Sequence, residues 1–146
     1  MIKEKSEIRE MLLRLESSRR RILQPQFTAL GLSLGQGQAR ILNTLLAQDH
    51  ITQKELADRC RLDVTTMSRT IDKMEEAGLL NRLRRPDSRR SFLIELTEAG
   101  RAKAREVHAC FSELDECIWQ GFDRKEMETL LEILKKININ LEERQQ

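Results

Sequence analysis

The stretch from Thr52 to Thr97 constrains this chain most, because it places two helix starts, one helix stop and a strand alternation close together. Thr52-Gln-Lys-Glu55 reads as a capping box: the Thr52 hydroxyl takes the Glu55 amide, and the Glu55 carboxylate can reach back. Leu56 and Ala57 give that short helix a buried side. A tight turn, Arg59 to Asp63, follows, and Asp63 is a suitable N-cap for a second helix. Gly78 stops this helix just after Glu76 or Ala77. A hairpin comes at once, with its turn at Pro86-Asp87-Ser88. Beyond the turn Phe92, Ile94 and Leu96 share one face and Leu93 and Glu95 the other, as in a half-buried strand.

At 100° per residue the second helix gathers Val64, Met67, Ile71 and Met74 on one stripe, which is expected to face a core. Arg69 points the opposite way, flanked by Thr65, Thr66, Asp72, Lys73 and Glu76. The exposed face thus carries hydroxyls and cations able to bond base edges and phosphates, as the second helix of a helix-turn-helix does in a major groove. The hairpin adds five arginines within nine positions, Arg82 to Arg90, against the single Asp87. Such a cluster repels itself, so folding alone does not favour it; a phosphate backbone attracts it and releases counterions. The stretch reads as a wing whose arginines can reach an adjacent minor groove, where the potential is negative.

The rest of the chain is helical. Ile8, Met11, Leu12, Leu15, Ile22 and Leu23 recur at helical spacing, with Pro25 expected to kink or interrupt the run. The stretch Gly31 to Gly37 is a break. Ala39, Ile41, Leu42, Leu45 and Leu46 then predict a short buried helix. Thr97 can cap a long helix carrying Ala102, Val107, Cys110, Phe111, Leu114 and Ile118, broken near Gly121. A last helix carries Met127, Leu130, Leu131, Leu134, Ile137 and Leu141 in a heptad-like seam. Only 3% of the 146 residues are aromatic and 34% are charged, so a single copy can bury only a small core. The two terminal seams point to a homodimer. Net charge is only +2, so attraction to polyanions must come from local clusters. No apolar run suits a membrane span and the N-terminus lacks a signal-like core, which predicts a cytoplasmic protein.

The composition of possible sites disfavours catalysis. His50 and His108 have no nucleophile signature beside them, and His108 reads as a solvated or hydrogen-bonded residue, not a metal ligand. No glycine-rich phosphate loop is present, and neither a cofactor nor a metal is expected. Cys110 and Cys117 are about 10 Å apart along a helix, too far for a disulfide within it. Cys60 is the best redox candidate, because Arg59 and Arg61 could lower its pKa, while burial against Leu56 would oppose that. The Arg19–Arg21 tract is expected to be solvated, with a supporting phosphate contact as the alternative.

The segment from Thr52 to Gly100 resembles the MarR family of winged helix-turn-helix transcriptional regulators. The combination of RTIDKMEEAGLL with RRSFLIELTEAG carries the resemblance, and the leading helix and the two long trailing helices extend it to the whole chain. It implies a mostly α fold with a small β-hairpin wing (α+β), dimeric through intertwined N- and C-terminal helices. The corresponding division is 1–34 for the N-terminal dimerisation part, 35–105 for the winged helix-turn-helix and 106–146 for the C-terminal dimerisation helices. It also implies a sequence-specific regulator, a repressor on a near-palindromic double-stranded operator, released by a small-molecule effector or an oxidant. By position, Thr65, Thr66 and Arg69 match base-reading residues, and Ser68 and Lys73 match phosphate contacts. Arg84, Arg85, Asp87, Arg89 and Arg90 form the wing. The family's Asp-x-Arg tip falls on Ser88 and Arg90 by position, but Asp87 and Arg89 offer it one residue earlier, and either arginine could enter the groove. The competing reading is a winged-helix module that binds another protein and no specific DNA.

Overall fold

The computed structural model describes residues 1–33 and 37–145; the side chains of Ser88, Arg89 and Arg90 are outside the described set. Among the described residues, six helices and three strands follow one another: α1 (Ile2–Ala29), α2 (Gln38–Ala47), β1 (Ile51–Thr52), α3 (Gln53–Cys60), α4 (Val64–Glu76), β2 (Leu80–Arg85), β3 (Ser88–Leu96), α5 (Glu98–Ile118) and α6 (Arg124–Gln145). They form two compact units, Met1–Leu114 and Asp115–Gln146.

The first unit builds its core from one face of each element. Ile41, Leu42 and Leu45 of α2, Leu56 and Cys60 of α3, Met67, Ile71 and Met74 of α4, and Leu80 and Ile94 of the sheet are all at most 1% exposed. Each aliphatic side chain so buried contributes roughly 1.5–3 kcal/mol of transfer free energy. The sheet is antiparallel in the order β1-β3-β2. Ile51 pairs with Ile94, Leu80 with Leu96 and Arg84 with Phe92, and the register shifts between Arg84 and Arg85. Strand β1 has only two residues, too short to leave a periodic signal in the sequence.

Helix α1 is not interrupted at Pro25, one of the two outcomes expected there: it runs through to Ala29. Proline lacks the amide that would bond the Arg21 carbonyl and crowds it, and both residues lie on an exposed side of the helix. The buried Leu23 and Phe27 hold the helix on either side of the proline, and the Phe27 ring meets Phe111 of α5 edge-on with centroids 5.4 Å apart. Upstream, Ile8, Met11, Leu12 and Leu15 stay exposed. The break after α1 begins as expected, but Leu34 to Gln36 lie outside the described residues.

A close contact joins the helix-turn-helix to α5. The Thr97 hydroxyl donates to the Gly78 carbonyl at 2.6 Å and accepts the Gly100 amide at 3.0 Å. A Cβ on Gly100 would lie 1.7 Å from the Leu79 carbonyl oxygen, so only glycine allows this approach without a shift. The residues leading into the wing are thereby tied to the first turn of α5.

In the second unit, Gly121 takes a φ of +84° before α6 begins. Asp123 and Glu126 cap α6 reciprocally, at 2.8 and 3.4 Å. No residue of α6 is buried; Leu131, Leu134, Ile137 and Leu141 remain more than 40% exposed. Among the described residues, no helix is long and apolar enough to cross a membrane.

Candidate nucleic-acid interface

Helices α3 and α4 and the turn between them form as the caps require. The Thr52 hydroxyl accepts the Glu55 amide at 3.1 Å. The reciprocal half of that box is not made: the Glu55 carboxylate pairs with Arg59 at 2.8 Å instead. Arg61 turns the chain with a left-handed φ of 56°, and Arg40 of α2 donates to the Cys60 carbonyl at 2.6 Å. A cation at this point also suits the negative end of the α3 dipole. Asp63 caps α4 twice, accepting the Thr66 amide and the Thr66 hydroxyl, each at 2.8 Å. These bonds to the ionised form hold the Asp63 carboxyl below the usual range.

Helix α4 places Met67, Thr70, Ile71 and Met74 in the core. Thr65, Arg69 and Lys73, at spacings of four, form an exposed stripe on the other side. Among the described residues, no ion pair or hydrogen bond occupies the Arg69 side chain, which leaves its fork of donors available. Thr66 is half-buried and spends its hydroxyl proton on Asp63, so outward it presents lone pairs and a methyl group. Ser68 is half-buried beside them. Val64 departs from the expected stripe. It is 76% exposed, because it is the first helical residue and lies ahead of the turn that meets the core. An exposed apolar group there is chemically suited to a thymine methyl, whereas the sequence pattern assigns Val64 to the core.

The wing is less uniform than its charge count implies. Arg84 is exposed, and no partner for it occurs among the described residues. Arg85 is half-buried and lies 3.4 Å from Asp87. The backbone of Arg89 and Arg90 lies on β3. Arg82 does not belong to the free cluster, contrary to the expectation of five unpaired arginines. Its side chain is 16% exposed and lies 2.7 Å from Asp72 and 3.2 Å from Glu75. Two carboxylates on α4, three residues apart, capture it once β2 folds against that helix.

Cys60 is fully buried. Burial pushes its thiol up, outweighing the Thr44 hydroxyl at 3.7 Å and the Arg40 charge. Arg59 is engaged by Glu55 and does not activate it. His108 meets Asn43 at 3.1 Å, as a hydrogen-bonded residue should. Beside α2, a cleft of about 390 Å³ is lined by Arg19, Arg20 and Arg40 and by Leu23, Phe27 and Phe111. Arg19, Arg20 and Arg21 are exposed, as expected, and Arg19 lies 3.4 Å from Glu16 on this cleft.

Comparison with known proteins covers the same ground. Residues 34–92 match the sequence profile of the MarR family. An uncharacterized HTH-type transcriptional regulator of Bacillus subtilis (strain 168), YdgJ, is 29% identical over 70 residues; the match spans 48% of this chain and 43% of the relative. The crystal structure of a MarR-family transcriptional regulator from Silicibacter pomeroyi is 28% identical with a TM-score of 0.74, covering 89% of this chain and 86% of that one. A MarR-family regulator from Listeria monocytogenes, solved in complex with a 26mer DNA, is 25% identical with a TM-score of 0.79, covering 92% and 87%.

Proposed function

We propose that residues 34–92, which match the MarR family profile, form a winged helix-turn-helix domain of that family, and that the protein is a cytoplasmic, dimeric, sequence-specific DNA-binding regulator that responds to a small ligand. One observation carries the reading. Helix α4 buries Met67, Ile71 and Met74 and leaves Thr65, Arg69 and Lys73 outward, beside a wing with Arg84 exposed. Hydroxyl, fork and ammonium along one helical face are what base edges and phosphates require. In this reading Thr65, Thr66 and Arg69 read bases, Ser68 and Lys73 hold the backbone, and Arg84, Arg85, Asp87, Arg89 and Arg90 form the wing contact. The solved relative from Listeria monocytogenes is itself a DNA complex.

The exposed apolar residues of α1 and α6 support a second copy as their cover. Segments 1–34 and 106–146 would serve the dimer and 35–105 the DNA, and two-fold symmetry would call for a near-palindromic operator. The cleft suits a small organic anion with an apolar body, because three guanidinium groups outnumber the Glu16 carboxylate there and phenyl rings line it beside them. In this reading filling it releases the operator and the protein acts as a repressor.

Selection from a random duplex pool tests the whole reading. It should recover a near-palindromic site whose affinity falls steeply with salt. Recovery of no preferred sequence, with salt-insensitive binding to a protein instead, would favour the interaction-module reading.

A further inference from the structure

We propose that Arg82 is a positioning residue that locks the wing to the recognition helix, so that the two engage DNA as one unit; this rests on the DNA-binding reading above. A guanidinium has five N–H donors. In Arg82, Nε donates to Gln53 Oε1 at 3.1 Å, and Nη1 to Glu75 Oε1 at 3.2 Å. Nη2 reaches Asp72 Oδ1 at 2.7 Å and the Ser68 carbonyl at 3.3 Å. The Arg82 amide also donates to Glu75 Oε2 at 3.1 Å. So few donors remain that no fork is left for a phosphate.

One side chain of the wing strand β2 therefore joins the start of α3 to three successive turns of α4. Ser68, Asp72 and Glu75 lie on the flank of α4 between its buried stripe and the stripe of Thr65, Arg69 and Lys73. The bond network fixes the distance from that stripe to Arg84, two residues along β2. It also occupies Asp72, which lies three residues from Arg69 and would otherwise compete for it. A wing held in place meets the backbone at no further ordering cost once the helix has docked, which is how linked contacts gain affinity.

A double-mutant cycle on the full chain tests this, using the duplex recovered by selection. Arg84→Ala should weaken binding several-fold and make the slope of log affinity against log salt shallower by about one per protomer. Arg82→Gln should weaken binding too, and in its background Arg84→Ala should cost almost nothing more. Full additivity of the two penalties overturns the proposal. Amide hydrogen exchange without DNA gives an independent reading. Arg82→Gln should speed exchange along β2 and β3 and leave α2 as protected as in the parent. An unchanged wing, or equal loss of protection in α2, overturns it. Arg82→Lys keeps the charge but not the fork and should resemble Arg82→Gln; parent-like behaviour would reduce Arg82 to charge compensation and overturn the positioning role. A parent chain that binds no duplex would defeat the regulator reading, while the exchange experiment would still decide on Arg82.

Discussion

The guanidinium of Arg40, on α2, donates to the backbone carbonyl of Cys60 at 2.6 Å, across the last residue of α3 and the entrance to the turn before α4. Arg40 also lines the cleft beside Phe27 and Phe111. Gly37, another lining residue, lies so near the turn that a Cβ on it would come within 2.8 Å of Leu62 Cδ1. An anion in the cleft would compete with the Cys60 carbonyl for Arg40. On the proposed ligand response, Arg40→Ala is expected to weaken operator binding and to abolish release by a small aryl carboxylic acid. Titration of both proteins with and without the acid checks this; a variant released as readily as the parent removes Arg40 from the response.

Arg69 should carry sequence choice. Arg69→Ala is expected to cost roughly 1–3 kcal/mol on the selected duplex and much less on random DNA. Side-by-side titrations give the ratio, and equal weakening on both would make Arg69 a backbone contact.

The wing should supply affinity more than choice, because the minor groove distinguishes base pairs poorly. Replacing Arg89 and Arg90 together with Ala should weaken cognate and random duplexes by similar factors. The salt slope should become shallower by about one for each phosphate that a protomer no longer neutralises. An unchanged slope with altered sequence choice would assign base or shape reading to these arginines.

Cys60 should be inert in the folded protein. A fully buried thiol with a raised pKa offers little thiolate at neutral pH. Thiol-reactive reagents should modify the exposed Cys117 first and reach Cys60 only on unfolding. Cys60→Ser should respond to peroxide as the parent does, measured as operator affinity before and after treatment. Loss of a peroxide response on that substitution would restore Cys60 as a sensor.

Asp63 links the cap of α4 to pH. Its folded pKa lies below its unfolded value, so its contribution is present above the ordinary carboxylate range and disappears as pH falls through the lowered value. Asp63→Asn, still a good cap but without charge, should leave stability near neutrality close to the parent and flatten the acid side of a Tm-against-pH curve. An acid limb as steep as the parent's would place its origin elsewhere.

The features legible in the sequence are local. Asp63 before α4, Gly78 after it, Thr97 before α5 and the alternation around Ile94 act over a few residues, through hydrogen bonds and sterics that need no distant partner. The stripe of Thr65, Arg69 and Lys73 follows from helical geometry alone. Which charges are free depends on contacts between elements. Arg82 and Arg84 look alike in the sequence. One is captured by Gln53, Asp72 and Glu75 from two other helices, and the other is left to solvent. Val64 and Cys60 show the same dependence: periodicity assigns a side of the helix, but exposure depends on whether a neighbouring element reaches that turn. Ion pairing and burial are set by contacts between residues far apart in the chain, so no short window of sequence contains them.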